Sequence, residues 1–154
     1  MSRNSKSLET AFSSRSEDWG TPQKLFDELN AEFHFTLDVC ASEDNKKCGN
    51  YFNKEQDALQ QEWTGICYMN PPYGKTIKSW MKKAYESSLA GATVVCLIPS
   101  RTDTRWFHDY AMKAEDIRFI KGRLRYTGIA NNVAPFPSLV IVFHARNVRE
   151  ENNQ

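Results

Sequence analysis

The sequence predicts a mixed α/β domain built on a parallel sheet, and three observations carry that. Residues 66–69, Ile-Cys-Tyr-Met, form a short apolar run of the kind that reads as a buried strand. Residues 77–89 then place Ile77, Trp80, Met81, Ala84, Tyr85 and Leu89 on one broad helical face, and Gly91 stops the helix at its C′ position. Residues 93–98, Thr-Val-Val-Cys-Leu-Ile, are near-continuously apolar, as in a parallel strand covered on both faces. Strand, helix and strand in that order make one crossover unit.

The chain of 154 residues is long enough for one domain with one good core. Its formal net charge of +1 excludes a broadly basic nucleic-acid coat. It has no apolar run long enough to span a membrane and no charged-then-apolar leader, so a cytoplasmic protein is expected. Of the four cysteines, Cys67 and Cys96 lie in strand-like runs as small hydrophobes. None forms a Cys-x-x-Cys pair, and Cys40, Cys48 and His34 are too sparse a set for zinc, so no metal is expected.

In chain order, residues 1–16 are Ser-rich with isolated apolar positions and read as a disordered leader, with the domain over 17–146 and a polar tail over 147–154. Thr21 is a good N-cap and Pro22 a good first helical residue for a helix whose apolar face is Leu25, Phe26, Leu29 and Phe33. Residues 35–41 read as the next strand, with Asp38 near its end. Residues 42–61 are polar, and Tyr51-Phe52 is their one strand-like fragment. After the central crossover, Thr104 or Asp103 caps a short helix carrying Trp106, Phe107 and Tyr110. Residues 117–120 and 124–126 read as strand, with Lys121-Gly122 as a kink or bulge. Residues 128–137 are a loop containing Asn131, Asn132 and Phe136, and residues 138–143 a final buried strand. Arg118, Lys121, Arg123 and Arg125 make the densest basic group; alternating strand charges ordinarily mark a solvated face, but with Arg101 and Arg105 they can form a local patch.

The stretch that carries chemistry is Asn70-Pro71-Pro72-Tyr73. Proline cannot donate to a sheet ladder, so the strand ends there, and each proline holds its predecessor extended. The product is a stiff segment at the carboxyl end of a strand, where open α/β sheets bind ligands. The Asn70 oxygen and a carbonyl of the Pro71–Pro72 turn can accept both hydrogens of a planar –NH2, and the Tyr73 ring can stack on the flat system bearing it. A conjugated amine is a poor nucleophile. Two fixed acceptors draw it toward a tetrahedral shape and free its lone pair for attack on an electrophilic carbon.

This motif, with residues 19–27, 37–41, 57–59 and 99–107, resembles the phage-type DNA N6-adenine methyltransferases over about residues 17–145. The resemblance implies a Rossmann-like S-adenosylmethionine-dependent fold, a mixed, mostly parallel sheet ending in an antiparallel hairpin. It implies methyl transfer to N6 of a flipped-out adenine in double-stranded DNA, with catalysis at residues 70–73. It places Thr21 and Pro22 over the methionine end of S-adenosylmethionine, and Asp38, Cys40 and Ala41 in the turn that the cofactor approaches, in place of the usual glycine-rich turn. Asp57 falls at the position near the cofactor's adenine amine, where a plain surface carboxylate is the rival reading. No ribose ligand stands out, Glu43 being one possibility. Arg101, Arg105, Arg123, Arg125 and Phe136 are expected at the DNA. Phage or prophage origin, and protection of DNA from restriction, belong to the same expectation.

Two other readings compete. The same four residues serve enzymes that methylate a protein glutamine or an RNA base, and N4 of cytosine is a further planar amine. A non-catalytic DNA-binding module that has lost its cofactor site is the alternative from another class.

Overall fold

The computed structural model describes residues 19–42, 45–128 and 133–146. The predicted leader and tail, Glu43, Asn131 and Asn132 lie outside the described residues.

Among the described residues the elements run α1 (Gln23–Phe33), β1 (Leu37–Asp38), β2 (Ile66–Met69), α2 (Ile77–Leu89), β3 (Thr93–Pro99), α3 (Arg105–Asp109), β4 (Asp116–Phe119) and β5 (Ser138–Phe143). The five strands form one mixed sheet in the order β1-β2-β3-β5-β4. β1, β2 and β3 are parallel neighbours. β5 lies between β3 and β4, antiparallel to both, so four strands point one way and β5 the other.

The middle of the sheet is where the sequence is most apolar. All of β5 and all but the first residue of β3 are buried, with Val95 opposite Val142 and Cys96 opposite Ile141. Each such side chain removed from water contributes on the order of 2 kcal/mol, before the entropy of ordering it is set against that. α2 covers this ladder with Ile77, Trp80, Met81 and Ala84, all buried and spaced at helical intervals. Gly91, at φ 109°, ends it in the left-handed region, and the Ala92 amide returns to the Ser87 carbonyl at 3.0 Å. Thr104 caps α3, its hydroxyl accepting from the Phe107 amide.

Three expectations give way. The residue flanking α1 is Pro22, with no side-chain cap, and Thr21 does not serve as the cap. Thr21 is buried, and its hydroxyl bonds the Tyr68 hydroxyl and receives an N–H of Asn70. Those buried groups have no water to turn to, whereas the amides of a helix end do. The strand expected over 35–41 contributes only Leu37 and Asp38 to the ladder, because the chain beyond curls around the Asp38 carboxylate. The strand expected over 124–126 keeps one isolated bridge, Arg125 to Val133, and a second lies just beyond it, Thr127 to Gly20. Gly122, at φ 76°, turns the chain after β4 toward the segment at residues 19–20. Gly20 and Thr127 exchange backbone bonds of 3.0 and 2.9 Å, so close that a Cβ on Gly20 would lie 2.3 Å from the Thr127 hydroxyl. A side chain at residue 20 would therefore press on Thr127.

Candidate active site

The carboxyl ends of β1 and β2 open into a cavity of about 420 Å³. Five of the six side chains expected at a cofactor line it, namely Thr21, Asp38, Cys40, Ala41 and Asp57. Pro22 is not among its lining residues, since it flanks α1 instead. Asn70 and Pro72 line the same cavity. Proline ends β2 at Met69, and that is why Asn70 leaves the ladder and presents its side chain there.

Asp38 is buried at the end of β1. Its two carboxylate oxygens accept from the Cys40 amide at 3.2 Å and the Lys47 amide at 3.1 Å. Burial pushes its carboxyl up to about 6, with those two bonds and the Lys47 charge pulling back. The turn expected to need glycine is therefore wrapped on a carboxylate. Lys47 in turn ties it to α1 through a 2.7 Å bond to Gln23. Asp57 joins two 3₁₀ turns, Lys54–Gln56 and Ala58–Gln60, and takes a left-handed φ of 49° that non-glycine residues seldom adopt. Reciprocal capping by Asn53 and Gln56 on one side, and the Trp63 indole on the Ala58 carbonyl on the other, hold it there.

Asn70 is fixed at both ends of its carboxamide. The NH2 group donates to the Trp19 carbonyl at 2.6 Å and the Thr21 hydroxyl at 3.2 Å. The oxygen accepts from the Tyr73 hydroxyl at 2.6 Å and keeps its second lone pair. Pro71 is buried and Pro72 half-buried.

Tyr73, expected to stack on the ligand's flat system, lies largely in the core. Its ring is 8 % exposed and meets Tyr126 and Phe136 edge-on, at 6.1 and 5.5 Å between centroids. Little of its face is left for a ligand, because the ring fills the core while its hydroxyl serves Asn70. Phe136, expected at the DNA, is likewise 7 % exposed, packed against Trp19 and Tyr73. Arg101, Arg105, Arg123 and Arg125 are exposed, and the Arg101 guanidinium lies 5.9 Å over the Phe136 ring. Arg118 leaves the predicted basic group. It is bound in bidentate fashion to Glu32 and singly to Asp116, and so braces β4 against α1.

Sequence reasoning missed the roles of Tyr68 and Tyr126. Each is a buried phenol whose hydroxyl needs a partner. A tyrosine within the otherwise apolar Ile-Cys-Tyr-Met run was the available signal. Among the described residues no three His, Cys, Asp or Glu side chains stand close enough to hold a metal ion. Among them, too, no helix is long and apolar enough to cross a membrane.

A family model described as DNA N-6-adenine-methyltransferase matches residues 9–150. The chain is 31 % identical over 136 residues to a DNA N-6-adenine-methyltransferase of Haemophilus phage HP1, a match covering 83 % of this chain and 79 % of that one. It is 29 % identical over 109 residues to one of Escherichia phage T1, covering 69 % of this chain and 45 % of the relative.

Proposed function

The chain belongs to the DNA N-6-adenine-methyltransferase family, and on that premise we propose that it methylates N6 of adenine in DNA with S-adenosylmethionine. The observation that carries this reading is the Asn70 carboxamide, locked at the carboxyl end of β2 on the wall of the cavity. The fold in this reading is the Rossmann-like one of S-adenosylmethionine-dependent enzymes, in a domain over residues 17–146.

The cavity fits such a cofactor. Its volume of about 420 Å³ is in the range of small-molecule sites. Its wall carries the Asp38 and Asp57 carboxylates beside Lys47 and Lys54, a mixed lining that suits a ligand bearing both cationic and anionic groups. Thr21, Asp38, Cys40, Ala41 and Asp57 would hold it. The cofactor, when bound, supplies an electrophilic sulfonium methyl.

Adenine inside a duplex cannot reach this cavity and must be flipped out, at a cost of a few kcal/mol. The free lone pair of the Asn70 oxygen and the Pro71 carbonyl accept from N6. Tyr73 contributes through its hydroxyl on Asn70, and not by stacking. The Asn70 oxygen is oriented before substrate arrives, so it needs no reorganisation as charge develops on nitrogen. Exposed Arg101, Arg105, Arg123 and Arg125 contact phosphate, which positions the duplex without reading its sequence. The biological role in this reading is phage or prophage modification that shields DNA from restriction in the host cytoplasm.

The test is transfer from labelled S-adenosylmethionine to methyl-free DNA, with digestion to nucleosides and mass spectrometry. Label in N6-methyladenine is the expected result. Label absent from DNA but present in RNA or in a protein glutamine would overturn the substrate.

A further inference from the structure

We propose that Tyr126 is a positioning residue for Asn70, acting through the Tyr73 hydroxyl with Ser138 as its anchor. This rests on Asn70 being the acceptor of the substrate amine.

A carboxamide has two ends of nearly equal size, and only one orientation places the oxygen where an amine can use it. The Trp19 carbonyl can only accept, so it demands the NH2 end at 2.6 Å. The other end is therefore oxygen, and it faces the Tyr73 hydroxyl at 2.6 Å. That hydroxyl has one proton and three neighbours: the Asn70 oxygen, the Leu97 carbonyl at 3.1 Å, and the Tyr126 hydroxyl at 3.3 Å. Were the Tyr73 proton to turn to Leu97, the Asn70 oxygen would lose its restraint.

Tyr126 acts on this bond from behind. Its hydroxyl can donate to the Tyr73 oxygen at 3.3 Å, which bars the Tyr73 proton from Tyr126 and makes the Tyr73 O–H a stronger donor toward Asn70, the nearest of its acceptors at 2.6 Å. Ser138, 2.8 Å from the Tyr126 hydroxyl, can donate to Tyr126 in the same sense. The chain then runs Ser138, Tyr126, Tyr73, Asn70, each hydroxyl giving its one proton forward. Tyr126 is 0 % exposed, Ser138 1 % and Tyr73 8 %. Water has little access to replace a deleted hydroxyl, so the loss passes down the chain.

The effect belongs to turnover and not to binding. Tyr126→Phe keeps the ring and removes the hydroxyl. It is expected to lower kcat for methyl transfer roughly tenfold, the scale of one lost hydrogen bond, with KM for DNA and Kd for S-adenosylmethionine changed less than about twofold. Ser138→Ala, a milder change, is expected to act in the same direction and less. In an Asn70→Ser background Tyr126→Phe should add nothing. An unchanged kcat, or the same loss in that background, would overturn the proposal. A second readout needs no activity. With ¹⁵N-asparagine labelling, the side-chain NH2 resonances that Asn70→Ser removes should shift in Tyr126→Phe, and unmoved resonances would overturn the proposal. Wild-type protein that methylates no DNA defeats the functional reading instead, and this spectrum still decides the geometry.

Discussion

The two halves of the sheet are built differently. On one side, β3 and β5 run seven and six residues, pair along their length and are buried almost throughout. On the other, β1 and β2 run two and four residues, and the chain soon leaves the ladder for polar turns. The first half is held by many interchangeable apolar contacts, each small. The second is held by a few particular hydrogen bonds, those among Thr21, Tyr68 and Asn70, which lie far apart in sequence, and those from the Cys40 and Lys47 amides to the Asp38 carboxylate. A dense ladder supplies stability and can be altered piecemeal, whereas the sparse side supplies the oriented groups. Tyr73 spans the two, its hydroxyl donating to Asn70 and lying 3.1 Å from the carbonyl of Leu97 in β3.

The largest expected effect lies in the dense half. Ile141 is fully buried in β5 opposite Cys96. Ile141→Ala should cost roughly 2–5 kcal/mol of stability in urea titrations, with the surviving folded protein still methylating DNA. Normal stability with lost transfer would erase the contrast between the halves.

A smaller effect sharpens the other half. The folded Asp38 carboxyl titrates at about 6 rather than 3.8, so between those values the folded state holds a proton that the unfolded chain has released. Stability must then fall as pH rises through that window, by at most about 3 kcal/mol from this group, and level off above it. Asp38→Asn should flatten the slope. S-adenosylmethionine binding should run the opposite way, strengthening as the carboxylate ionises. Calorimetry and denaturation across pH 4 to 7 check both signs, and binding that weakens with rising pH would remove Asp38 from the cofactor.

The same division governs what could be read from the sequence. The crossover of β2, α2 and β3 was legible because periodicity, apolar runs and Gly91 are local signals, and the structure carries them through. The site was legible as a location, since proline after Asn70 ends the strand wherever it occurs. Its internal bonding was not. Thr21 reads as a helix cap because capping is local, yet its partners Tyr68 and Asn70 are 47 and 49 residues away. Tyr73 reads as an open aromatic because the rings that enclose it, Tyr126 and Phe136, arrive only with the crossing segment and the entry to β5. The missing glycine turn reads as a defect until the Asp38 carboxylate is seen holding two amides of that turn.

In the proposed function cofactor binding and amine activation are separable, the first assigned to Thr21, Asp38, Cys40, Ala41 and Asp57 and the second to Asn70. Asn70→Ala tests it most directly, with S-adenosylmethionine affinity and methyl transfer to DNA measured on the same preparation. Affinity is expected within a few-fold of wild type and transfer reduced on the order of 10²- to 10³-fold, the scale of losing one oriented group at a developing charge. Transfer retained at near wild-type rate, with Asn70 gone, would contradict it.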